Sequence, residues 1–181
     1  MENLKIYFIT GVCGTGKTTV LKVLKELLPK NSFDLHDLDE RGIPKNAGRE
    51  WRINETKYLI SVGEDNLKKG LSTVVSGFSR PSEVKDLIPT LDNVFFILLD
   101  ANAETIKNRI FNRYPDEKSK KQFEDKHGKS VYKFIEENIN FSETMRKEAY
   151  EYESKIIDTN NKNPDEIGQE ILGLISLLSL L

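Results

Sequence analysis

The chain has 181 residues, 31% of them charged and 38% hydrophobic, and a formal charge of −2 at pH 7. That is the size and makeup of one globular domain, able to bury a core without disulfides or structural metal. A near-neutral balance with interspersed signs argues against a duplex nucleic-acid binder, although a local basic site for phosphates is compatible with it.

Cys13 is the sole cysteine, so no intramolecular disulfide and no Cys/His zinc cluster can form. The stretch from Met1 to Lys5 shows no basic region, apolar run or small-residue cleavage site of a secretory leader, so a cytoplasmic location is expected. The apolar stretch 171–181 is too short to span a bilayer and reads as a terminal helix covering a sheet. No membrane partner is expected.

In chain order, residues 4–10 are rich in β-branched and aromatic types and predict a buried strand. Glycines follow, then a helical pattern over 17–28 that Pro29 ends. A second strand is predicted over 32–36, delivering Asp37-Leu38-Asp39 at its exit, and a long helix over 50–69 stops at Gly70. The third strand is read at 73–76, Pro81 opens the next helix, and the apolar run 94–99 suits a strand covered on both faces. A helix over 103–113 leads into a polar, lysine-rich stretch from Tyr114 to about Gly128. A helix over 131–152, a fifth strand at 155–157 and a helix from Pro164 complete the chain. Alternating strands and helices imply an α/β fold with a parallel sheet, in one domain spanning 1–181.

Gly11-Val12-Cys13-Gly14-Thr15-Gly16-Lys17-Thr18 lies between the first strand and the first helix. Glycines there let backbone N–H groups approach a phosphate chain, and the helix that follows presents its positive end. In such a loop Lys17 reaches the β- and γ-phosphates, the Thr18 hydroxyl ligates magnesium, and Thr19 can bond the α-phosphate. The loop therefore predicts a nucleoside triphosphate with Mg2+. Cys13 reads as a small filler within it.

Around this loop the chain resembles the small P-loop kinases of the nucleoside monophosphate kinase, shikimate kinase and gluconate kinase type. The likeness covers nearly the whole chain. It rests on the loop, on Asp37-Leu38-Asp39 after the second strand, and on Leu99-Asp100 with the helix Glu104 to Arg113. Arg146 to Tyr150 and then Ile157-Asp158-Thr159 are similar to the arginine helix after the lid and to the last strand. The resemblance implies a three-layer P-loop kinase fold with a five-stranded parallel sheet and a mobile lid over 114–140. It also implies ATP and Mg2+, and transfer of a phosphoryl group to a small-molecule acceptor.

By the same resemblance Asp37 would hold magnesium and Asp39 would orient or deprotonate the acceptor, with the reverse assignment left open. Arg109 and Arg113, four apart on one helical face, would cover the adenine or reach the moving phosphate; surface ion pairs are the alternative. Arg146 would contact the acceptor or the phosphoryl group. Arg41, Arg49, Trp51 and Arg52, with Phe78 and Arg80 after the third strand, are placed to line an acceptor space. They suit a nucleoside or nucleoside monophosphate first, and a shikimate- or gluconate-like hydroxy acid second.

The chain departs from that pattern in two places. The 114–140 segment has lysines but no arginine, and the third strand ends in Ser76-Gly77-Phe78 without an aspartate. The latter counts against a motor ATPase. A GTPase is disfavoured because Pro164 stands where a guanine-reading aspartate would follow Asn161-Lys162-Asn163. A polynucleotide-end kinase is disfavoured by the acidity. A binding protein without turnover, and the choice of monomer or homodimer, are left open by the sequence.

Overall fold

The computed structural model describes residues 4–178 with the exception of 46, 89 and 91. The chain runs β1 (Ile6–Thr10), α1 (Lys17–Leu27), β2 (Phe33–Asp37), α2 (Arg49–Lys68), β3 (Ser72–Ser76), α3 (Pro81–Lys85) and β4 (Val94–Asp100). It continues with α4 (Ala103–Phe111), α5 (Glu117–His127), α6 (Val131–Glu151), β5 (Lys155–Asp158) and α7 (Pro164–Leu178). The five strands form one parallel sheet in the order β2-β3-β1-β4-β5.

The side-chain period of a strand sorts β1 between two layers. Tyr7 and Ile9 face α1 and α7 in a cluster with Val20, Leu24, Ile97, Leu99, Ile171 and Ile175. Ile6 and Phe8 face the other way, onto Leu59, Ile60 and Val84 of α2 and α3. A third cluster joins Leu98 and Val12 to Ile106 and Ile110 of α4 and to Met145 and Ala149 of α6. The terminal helix α7 thus covers the sheet, as its apolar face predicts. Among the described residues, no helix is long and apolar enough to cross a membrane.

β1 is where the strand order reverses, with β3 on one side and β4 on the other. A crevice opens beyond the carboxyl ends of strands at such a point. The glycine loop leaves β1 directly into it.

One element escaped the sequence reading. The polar stretch after Tyr114 contains α5, held by a box in which the Asp116 side chain accepts the Ser119 N–H at 2.7 Å and Ser119 Oγ accepts the Asp116 N–H. Gly128, at φ 67, closes it. Its only buried residue is Phe123, whose ring lies 4.8 Å from Tyr114 and 5.1 Å from Phe134. The expected lid thus divides into α5 and the first turns of α6, a helix of 21 residues.

Candidate active site

The phosphate loop is shaped by contacts beneath it as much as by its own glycines. A side-chain carbon at Gly11 would lie 2.6 Å from the Leu99 carbonyl oxygen and 2.7 Å from Thr15 Oγ1, so only glycine fits there. Thr15 Oγ1 donates to the Val12 carbonyl at 3.0 Å, and the Lys17 ammonium donates to the same oxygen at 2.9 Å. Gly16 caps α1 without a side-chain hydrogen bond, leaving the first N–H groups of the helix facing the crevice. Burial pushes the Lys17 ammonium below its ordinary pKa, against the pull of Cys13, Asp39 and Asp37.

Two neighbouring elements grip the loop. From α6, Asn138 Oδ1 accepts the Cys13 N–H at 2.8 Å. From α4, Arg109 donates to the Gly14 carbonyl at 3.2 Å, to Thr159 Oγ1 at 3.0 Å and to the Thr159 carbonyl at 2.7 Å. Arg113, one turn further on, lies 3.1 Å from Cys13 Sγ. Both arginines line a cavity of about 320 Å³ with Gly14, Gly16, Thr19, Lys162 and Pro164.

A second cavity, of about 340 Å³, opens on the other side of the loop. It is lined by Cys13, Gly14, Gly16, Lys17 and Thr18 of the loop, by Arg113, by Asp37, Asp39, Gly77 and Phe78 from the exits of β2 and β3, and by Phe134 and Asn138 of α6. The two aspartates reach it by a turn and not by strand alternation: Asp37 ends β2, and its Oδ1 accepts the Asp39 N–H at 3.0 Å. A side-chain carbon at Gly77 would sit 2.3 Å from Leu38 Cβ, so the close approach of the β3 exit to this turn requires glycine. Desolvation at the wall and the Asp37 carboxylate push Asp39 above its ordinary pKa, with Lys17 opposing. The Ser76 hydroxyl, level with Asp37 in the sheet, and that of Thr10 are buried without a hydrogen-bond partner.

No family model matches the chain. A Thermococcus kodakarensis protein named "Putative adenylate kinase" is 31% identical over 173 residues, spanning 94% of this chain and 85% of that one. A Pyrococcus furiosus protein of the same name is 30% identical over 173 residues, spanning 94% and 84%. The chain belongs to this family of small P-loop kinases. It is a phosphotransferase acting on a small molecule. A shikimate kinase from Acinetobacter baumannii in complex with shikimate shares its fold at TM-score 0.61 and 19% identity, covering 99% of this chain and 97% of that one. A gluconokinase from Sinorhizobium meliloti does so at 0.63 and 18%, covering 99% and 95%.

In the kinase the remaining arginines expected at the site turn toward carboxylates. Arg52 holds Glu83 through two bonds of 2.8 and 3.0 Å, with its guanidinium 4.9 Å from the Phe78 ring centre. Arg49 shares Glu83 at 3.1 Å. Arg80 pairs with Glu148, and Arg146 binds Asp100 at 2.8 Å and the Ala101 carbonyl at 3.1 Å. Arg41 lies over the Tyr58 ring and 3.7 Å from Glu55. Trp51 is half-buried at the start of α2. None of these lines the cavity that holds Lys17, Asp37 and Asp39; of the acceptor residues expected from the sequence, only Asp39 and Phe78 do. Phe134 and Asn138 line the second cavity although nothing in their local sequence marks them, and Lys162, part of the incomplete guanine-reading stretch, lines the first.

Proposed function

We propose that this kinase transfers the γ-phosphoryl group of ATP, with magnesium, to a small acceptor of the nucleoside or nucleoside monophosphate class. The observation that carries this is the 340 Å³ cavity, which brings Lys17, Thr18 and Arg113 together with Asp37, Asp39 and Phe78. The donor phosphates run along the loop from the 320 Å³ cavity into this one. The base lies among Arg109, Arg113, Lys162 and Pro164, where no aspartate is present to read guanine.

The walls offer oxygen donors suited to magnesium, the Thr18 hydroxyl and the Asp37 carboxylate. Among the described residues no group of three or more His, Cys, Asp or Glu could hold a metal by itself. That fits an ion bound by one or two protein oxygens together with substrate phosphates. When bound, magnesium would neutralise charge on the β- and γ-phosphates.

Phosphoryl transfer depends on positioning and charge neutralisation. Lys17, fixed by its bond to Val12, places one cation at the β,γ bridge, and Arg113 supplies a second from the turn after α4. Arg109 sets the loop and the base-side segment relative to each other. Arg146, held at Asp100, orients α6 against β4. Asp39 accepts or orients the proton of the attacking group. The segment 114–140 closes as a lid over the cavity, keeping water from competing as acceptor.

The test is incubation with γ-labelled ATP, magnesium and a pool of nucleosides and nucleoside monophosphates. Label on an organic acceptor is expected. Release of label only as inorganic phosphate contradicts the proposal.

A further inference from the structure

β3 ends in Ser76, beside Gly77 and level with Asp37, both of which line the 340 Å³ cavity. Its backbone is fixed from two sides. The Ser76 carbonyl accepts the N–H of Leu38, the residue between the two aspartates, at 2.8 Å. The next N–H, of Gly77, donates to the Ile9 carbonyl of β1 at 3.0 Å. Ser76 therefore stands between the acidic turn and the strand that feeds the phosphate loop.

The strand period fixes the side its hydroxyl takes. Leu35, Val74 and Ile9 pack in one cluster with Val20 and Leu24 of α1. Asp37 lies two residues beyond Leu35, Ser76 lies two beyond Val74, and the register pairs Asp37 with Ser76. Both side chains thus stand on the face that α1 covers, and α1 begins with Lys17 and Thr18. Neighbouring strands run about 4.8 Å apart, so a serine O–H can reach a carboxylate at the paired position.

Ser76 is only 1% exposed, and its hydroxyl has no hydrogen-bond partner among the described residues. A buried O–H left unpaired is costly and calls for a reason. The Asp37 carboxylate, meanwhile, is turned to the Asp39 N–H. One partner would satisfy the hydroxyl without opening it to solvent: the Asp37 carboxylate, turned inward to hold the ion.

We propose that Ser76 is a positioning residue for magnesium, its O–H donating to the Asp37 carboxylate when that group binds the ion beside Thr18. This rests on the reading that the 11–18 loop holds a magnesium nucleotide. Loss of a partner that orients a metal ligand typically costs about 10-fold to 100-fold in metal affinity. Serine brings no charge of its own, so the ion is held chiefly through the nucleotide phosphates and arrives with them.

The experiment measures binding of the β,γ-imido analogue of ATP to the full chain by calorimetry, in magnesium and in EDTA. Wild type, Ser76→Ala, Asp37→Asn and the double variant are compared, with thermal unfolding of each in the absence of nucleotide. Ser76→Ala should bind within about twofold of wild type in EDTA, while the gain in affinity on adding magnesium falls about 10-fold. In the Asp37→Asn background the same substitution should change that gain by less than about twofold, because Ser76 acts through Asp37. Removing an unpaired hydroxyl should not lower the unfolding temperature. A magnesium-dependent gain equal to wild type in Ser76→Ala overturns the inference, as does a wild type that binds equally well in magnesium and EDTA. A full 10-fold effect persisting in the Asp37→Asn background, or a lowered unfolding temperature with the gain intact, also overturns it. All of these leave the kinase reading standing, whereas a wild type that does not bind the analogue contradicts that reading itself.

Discussion

Asn138 and Cys13 are 125 residues apart in sequence, yet the Asn138 side-chain oxygen accepts the Cys13 backbone N–H at 2.8 Å. The contact ties α6, which emerges from the 114–140 segment, to the first half of the phosphate loop. Asn138→Ala leaves that N–H unpaired, which should cost about 1 kcal/mol, or roughly a fivefold rise in the KM for ATP. Asn138→Asp keeps an acceptor but sets a carboxylate beside the phosphates and loses the donor to the Phe134 carbonyl, so it should not recover the loss. Steady-state kinetics in ATP check this, and an unchanged KM in Asn138→Ala would count against the coupling.

Gly77 sits under the acidic turn. A methyl group there would meet Leu38, the residue between the two aspartates, at 2.3 Å. Gly77→Ala should therefore displace Asp37 and Asp39 while sparing the phosphate loop. Overpacking of this kind costs about 1–3 kcal/mol. The expected pattern is a lowered kcat with ATP affinity within about twofold of wild type, because the clash lies outside the loop. Loss of ATP binding, measured calorimetrically, would show that the turn and the loop do not act separately.

Arg109 bridges the Gly14 carbonyl to Thr159 through a planar fork. A lysine cannot make that set of bonds. Arg109→Lys should raise the KM for ATP and change kcat little. A fall in kcat with KM unchanged would instead place the guanidinium on the moving phosphate.

Glu83 is pushed up by burial, but the bonds from Arg52 and Arg49 outweigh this and hold its carboxyl below the ordinary glutamate range. A folded-state pKa below the unfolded one gives stability that is present above the unfolded value and is lost as pH falls through the folded one. Stability should thus decline on acidification below the ordinary glutamate range. Glu83→Gln should lower it at neutral pH by roughly 2 kcal/mol and flatten that acid limb. Urea unfolding at a series of pH values measures both effects; an acid limb identical to wild type would remove Glu83 as its source.

The fold was legible because its signals are local. β1 and β4 are short apolar runs, Pro29 and Gly70 stop the first two crossover helices, and the loop Gly11 to Thr18 carries its chemistry in consecutive residues. α5 was not legible by hydrophobic period, since Phe123 is its one buried residue; the Asp116–Ser119 box and Gly128 were the signals that could have found it. The arginines mark the other limit. Sequence places Arg49, Arg52, Arg80 and Arg146 near the crevice, but their orientation depends on Glu83, Glu148 and Asp100, between 31 and 68 positions away. A guanidinium binds carboxylate and phosphate with the same fork, so its residue type cannot say which. The acidic turn lies between these cases: the pair Asp37 and Asp39 was visible, and the hydrogen bond that aims both into one cavity was not.

The most direct test of the central claim is the single-turnover rate of phosphoryl transfer by Lys17→Met compared with wild type, with thermal unfolding of both measured in parallel. Lys17 is the cation of the phosphate loop, anchored on the Val12 carbonyl and lining the cavity with Asp37 and Asp39. The account predicts a loss of at least about 100-fold in rate, as for removal of a preorganised charge stabiliser, with the fold intact. A rate within about threefold of wild type in the intact variant, a barrier change under 1 kcal/mol, would contradict it.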